Sequence, residues 1–146
     1  MKQSIFLSRL ITEELVGSKY ARLVEPFRYY SRILDTVVEV PTGFVCDYES
    51  VFILKATSKR SGVLHDFLCR CDSIPIVTKQ VAASVYNESQ ALRDNMVCKN
   101  KFHRGWRLVL RFVKTSVVRI APFYFHKFKV MATAKELKNK SLGPRH

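Results

Sequence analysis

Acidic residues are scarce in this chain: 12 Asp and Glu stand against 25 Lys and Arg over 146 residues, a formal net charge of +13. An excess of that size implies an anionic partner, whether nucleic acid, a membrane surface or an acidic protein face. Cysteine is sparse too. Cys46, Cys69, Cys71 and Cys98 are too few for a disulfide framework, and no secretory signal precedes them, because Ile5-Phe6-Leu7 is a short apolar run that Arg9 interrupts. They read as reduced thiols of a protein assembled in a cytoplasm. A long uncharged apolar run is also missing. The longest apolar region, Leu108 to Phe125, carries Arg111, Lys114 and Arg119 and contains Pro122, whereas a membrane span needs about 20 nearly uncharged residues. No transmembrane segment is expected. There is no internal repeat and no linker, so residues 1–146 form a single domain, long enough to bury roughly two-thirds of its unfolded surface.

What is present excludes disorder: apolar residues make up 47% of the chain. Residues 1–20 place Ile5, Leu7, Leu10, Ile11 and Leu15 loosely at helical spacing, a pattern in which helix and strand are not separable. Tyr20 to Tyr30 is extended and broken at Pro26, which suits a sheet edge. Asp35 to Val40 is rich in β-branched residues and feeds the turn Pro41-Thr42-Gly43, after which Phe44-Val45-Cys46 continues extended. A helix beginning near Ser61 lines up Val63, Leu64, Phe67, Leu68 and Cys71 on one face, and Asp72-Ser73-Ile74-Pro75 closes it. Thr78 is the N-cap of a second helix with a buried stripe of Val81, Ala82, Val85, Tyr86, Ser89 and Leu92. From Lys99 to Lys129 the chain is basic and aromatic. A third helix is expected over 102–118, with Pro122 beyond its end. The tail from Lys135 to His146 is polar and Lys-rich, a flexible basic tail by composition. The fold class is α+β: a small antiparallel β unit over about residues 20–46, packed against about three helices.

Two stretches carry a resemblance. Val40-Pro41-Thr42-Gly43-Phe44-Val45-Cys46-Asp47-Tyr48-Glu49-Ser50-Val51, followed by Val63-Leu64-His65-Asp66-Phe67-Leu68, resembles the signature of the phage and bacterial family known as domain of unknown function 1353. That signature runs Val-Pro-x-Gly-Phe-x-Thr-Asp-x-x-Ser-Val-Pro, then a loop, then His-Asp-x-Leu-Tyr, then a helix usually bearing Ala-Asp. The resemblance covers about residues 20 to 115. It implies a phage or prophage context, often near virion genes, and no assigned biochemistry. The chain departs from the signature at Cys46 for its Thr, Phe52 for its second Pro, Cys69 for its Tyr, and Ser84 for the Asp of Ala-Asp. If the polar positions are a site in the family, this chain carries a degenerate copy, which favours a structural role.

Asp47, His65 and Asp66 are the sharpest constellation, and they are the catalytic candidates. A carboxylate–imidazole cluster can hold a metal or polarise a water for hydrolysis. The same residues can equally form a structural network, with Asp47 accepting from turn amides or capping the helix and His65 bonded to Asp47. Asp47, His65 and Cys69 form a rival soft-ligand set for zinc, although Cys69-x-Cys71 is not a CxxC pair and buried thiols often behave as small apolar residues. No cofactor is expected, and a divalent metal is the open alternative. Arg104, Arg107, Arg111 and Lys114 are the candidates for binding nucleic acid or a partner. Against nucleic acid stands a coherent apolar stripe of Trp106, Val109, Leu110, Val113 and Val117, which predicts a helix whose aromatic face is core.

The first expectation is a bacteriophage virion-associated structural or assembly protein of the tail or neck, built in the host cytoplasm. It would act through contacts with other virion proteins bearing acidic surfaces, or with copies of itself. A metal-dependent hydrolase of amide or cell-wall bonds using Asp47, His65 and Asp66 is the alternative. A basic nucleic-acid-binding accessory protein is the third reading.

Overall fold

Alternation decides which face of each strand is buried. In Phe27-Arg28-Tyr29-Tyr30-Ser31 and Thr36-Val37-Val38-Glu39-Val40, every second side chain is enclosed: Phe27, Tyr29 and Ser31 from one strand, Val38 and Val40 from the other. A computed structural model describes residues 2–17, 20–46, 59–70, 73–74, 77–97 and 101–120. In chain order the elements are β1 (Ile5–Phe6), β2 (Thr12–Glu14), β3 (Ala21–Leu23), β4 (Phe27–Ser31), β5 (Thr36–Val40), β6 (Val45–Cys46), α1 (Lys59–Leu68), α2 (Lys79–Val97) and α3 (Lys101–Ile120). The class is α+β, with two three-stranded antiparallel sheets ordered β1-β4-β5 and β2-β3-β6.

The β unit begins earlier than residue 20, because β1 and β2 come from the segment whose periodicity was ambiguous. Strands of two and three residues are too short to display a period. The edge placement expected for Tyr20 to Tyr30 is also corrected. That segment is two strands, β3 and β4, and each is the middle strand of its sheet. Pro26 lies in the bend between them and so leaves both ladders intact. The short link between β4 and β5 ends at Asp35, whose φ of 47° is left-handed, a conformation Asp tolerates better than most residues. After β5, the Phe44 amide donates to the Pro41 carbonyl at 3.2 Å, and Gly43 has φ 79°. A positive φ at the third turn position is the type II requirement that Gly meets without strain.

α1 and α2 cover the sheets. Leu23, Phe27, Tyr29, Val38 and Val40 meet Val63, Leu64, Leu68, Ala82 and Val85 in one core. α1 and α2 approach closely through small residues, with the buried Ser61 and Ser89 hydroxyls 2.8 Å apart. Thr78 caps α2 as expected, its Oγ1 accepting from the Val81 amide at 3.3 Å. Arg60 stacks over Phe6 and Arg70 over Phe44, so the two ends of α1 rest on aromatics from different parts of the β unit. Asp47, Cys71, Cys98, the Pro122 helix stop and the tail from Lys135 lie outside the described residues. No helix among the described residues is long and apolar enough to cross a membrane.

α3 reverses the expected packing. Three of the five residues of the stripe predicted to be core are turned outward, Trp106 at 61% exposed, Val109 at 54% and Val113 at 41%, beside Phe112 at 74%, while Leu110 and Val117 are half-buried. The helix docks on α2 through its polar side instead. Arg107 Nη1 reaches Asp94 Oδ1 at 3.1 Å, the Thr115 hydroxyl donates to Asn87 Oδ1 at 3.3 Å, and Lys114 is buried. The reason lies on α2, whose surface toward α3 offers Asn87 and Asp94, groups that a cationic face satisfies and an apolar one does not.

Candidate functional site

The helical spacing of His65 and Cys69 brings them together at the end of α1. The Cys69 amide continues the helix by donating to the His65 carbonyl at 3.0 Å, which sets its side chain one turn from the imidazole. Cys69 Sγ lies 3.6 Å from His65 Nε2, and His65 Nδ1 lies 3.7 Å from Asp66 Oδ1. The imidazole is therefore bracketed by a thiol on one nitrogen and a carboxylate near the other. Its ring also stands edge-on to Tyr86, with centroids 5.6 Å apart. The Tyr86 hydroxyl is pushed up to about 12, first by burial and then by the nearby Asp66 charge.

This cluster can anchor the ring and share a proton between His65 and Cys69. Asp47, the residue that would complete the expected constellation, lies outside the described residues. Among the described residues, no three His, Cys, Asp or Glu side chains converge as metal ligands. Ser84, at the position of the Asp of Ala-Asp in the signature that the chain resembles, donates to the Gln80 carbonyl of its own helix at 2.8 Å. Cys46 is buried, with its Sγ 3.7 Å from the Ala21 carbonyl.

A polar cluster that the sequence reading did not single out joins the first sheet to α2. The Tyr29 and Ser31 hydroxyls donate to Glu88 Oε2 at 3.0 and 2.8 Å. Burial, followed by the Glu88 charge, drives the Tyr29 hydroxyl well above its ordinary range. Among the described residues, Glu88 Oε1 and Gln90 Nε2 are buried without a hydrogen-bond partner. A signal for this cluster was present: Glu88 sits three residues after Val85 and four before Leu92, a carboxylate set into an apolar stripe.

The four cationic candidates differ in exposure. Arg104 is exposed and Arg111 half-buried, whereas Arg107 is held by Asp94 and Lys114 is only 2% exposed. α3 instead presents an aromatic outer face on which Phe102, Trp106 and Phe112 are the largest exposed groups. A contiguous apolar patch of that kind marks an interaction surface.

Residues 21–109 match the family described as Protein of unknown function (DUF1353). No curated protein and no solved structure matches the chain.

Proposed function

The chain belongs to the DUF1353 family of proteins of unknown function, and from that premise we propose that it is a virion-associated structural or assembly component of a bacteriophage tail or neck, acting through protein–protein contacts. The outer face of α3 carries this reading. A helix of 20 residues that turns Trp106, Val109, Phe112 and Val113 to solvent is built to be covered by another surface. The phage context comes from the resemblance of the Pro41–Val51 and His65-Asp66 motifs. The protein then resides in the particle after assembly in the host cytoplasm, among neighbours whose acidic surfaces offset its charge of +13.

Mass spectrometry of purified particles, with peptides of this chain quantified against a known tail subunit, tests the proposal. A fixed whole-number ratio is expected, and absence from particles overturns it. The hydrolase reading draws on the convergence of His65, Asp66 and Cys69. Stoichiometric zinc, manganese or calcium in the purified protein, lost in His65→Ala, would move the conclusion there.

A further inference from the structure

The outer face of α3 has a spacing of its own. Phe102, Trp106, Val109, Val113 and Ser116 follow one another at intervals of four, three, four and three residues, the a/d repeat of a two-helix seam. Two cations of the helix are directed elsewhere: Arg107 faces Asp94 on α2 and Lys114 is buried. The seam positions therefore carry no charge of either sign, although α3 contains no acidic residue at all. The seam positions themselves offer an acidic partner helix no cations to pair with. A surface identical to the stripe would not need them.

We propose that the surface covering this face is a second copy of the chain, with the two α3 helices antiparallel about a two-fold axis. This rests on reading α3 as a docking face. Antiparallel pairing centred between Val109 and Val113 sets Trp106 opposite Ser116 of the second copy and Val109 opposite Val113. The largest side chain of the seam then meets the smallest, and two medium ones meet each other. Parallel pairing would set Trp106 against Trp106 and Phe102 against Phe102, bulk on bulk. Antiparallel helices also oppose their macrodipoles favourably. The three exposed aromatics with Val109 and Val113 present about 600 Å² per chain, and a pair burying nearly all of it approaches the roughly 1,200 Å² at which stable specific interfaces begin. Such an interface is isologous, so it closes at two copies.

Charge sets the sign of the salt response. Two copies, each at +13, repel one another, and added salt screens that repulsion while leaving the apolar seam intact. Pairing therefore tightens as ionic strength rises. Docking on an acidic protein or an anionic membrane would weaken.

Trp106 is the only tryptophan in the chain, so its emission reports on this face alone. The experiment is sedimentation equilibrium of the full chain with Trp106 fluorescence, across a wide concentration range at low and high salt. The expected result is a monomer–dimer equilibrium, a blue shift that follows the dimer fraction, and a dissociation constant several-fold lower at high salt. Val109→Lys and Val113→Glu, both at exposed positions, should each abolish pairing with the circular dichroism unchanged. Mixing the two variants should restore it, because only the antiparallel register sets position 109 against position 113. Loss of the blue shift on mixing overturns the register. A monomer at all concentrations overturns the proposal, whether Trp106 then binds phosphatidylserine vesicles at low salt or is shielded from quencher by its own chain. A dimer absent from phage particles would uphold this inference and defeat the proposed function; a monomer present in them at fixed ratio would do the reverse.

Discussion

α2 has two sides of opposite character. Toward α1 and the sheets it contributes Ala82, Val85 and Ser89 to a closed apolar core. Toward α3 it offers Asn87 and Asp94 and receives Thr115 and Arg107. The first contact draws on burial, at about 25 cal/mol for each Å² removed from water. The second draws on hydrogen bonds and an ion pair whose net contribution is small, because each replaces a bond to water. The difference separates what folds the protein from what equips it. Sheets, α1 and α2 enclose the apolar core, and α3 is joined to α2 through polar groups with Trp106, Val109, Phe112 and Val113 turned to solvent.

The sharpest way to test that contrast is to damage each side in turn. Phe27→Ala, which empties a fully buried position in β4, should cost about 3–5 kcal/mol of global stability, measured by urea unfolding. A loss below about 1 kcal/mol would mean that the sheet is not the stable body. Asp94→Ala, which strips the partner from the part-buried Arg107, should cost about 1–3 kcal/mol. Hydrogen exchange should place the loss in α3, with β4 amides still protected. If β4 and α3 lose protection together, the two sides are one cooperative unit and the contrast fails.

The smallest effect is alkaline. Tyr86 belongs to the core side, and its hydroxyl titrates near 12 in the folded protein against 10.0 unfolded. Above pH 10 the unfolded chain releases that proton first, so the stability it contributes is present below pH 10 and lost between 10 and about 12. Tyr86→Phe should flatten the alkaline fall in melting temperature across that window. An unchanged slope would assign the fall to other groups.

Much of the body was legible because its signals are local. The β-branched run into Pro41 makes β5, Thr78 caps α2 with its own hydroxyl, and the spacing of His65 and Cys69 brings thiol and imidazole together. β1 and β2 were not legible, since two or three residues carry no period, and β1 pairs only with β4, a strand distant in sequence. The orientation of α3 was not legible for a different reason. Periodicity locates an apolar stripe, but whether that stripe turns inward depends on what the neighbouring helix offers. Asn87 and Asp94 stand seven residues apart on α2, two turns along one face, and that polar face was the unread half of the information. The candidate site was half legible: His65, Asp66 and Cys69 meet as their spacing requires, and Glu88 was passed over because it was embedded in the stripe used to define the helix.

Among the described residues, all six strands precede all three helices. During synthesis, which proceeds from the N-terminus at about 5–20 residues per second, the sheets emerge before anything that can cover them. Phe27, Tyr29, Val38 and Val40 stay uncovered until α1 and α2 have left the ribosome, and the core closes on the arrival of α2. The aromatic helix is made last. Its outer face meets solvent only when the body beneath it can already be complete, which keeps two apolar surfaces from being exposed on one nascent chain at the same time.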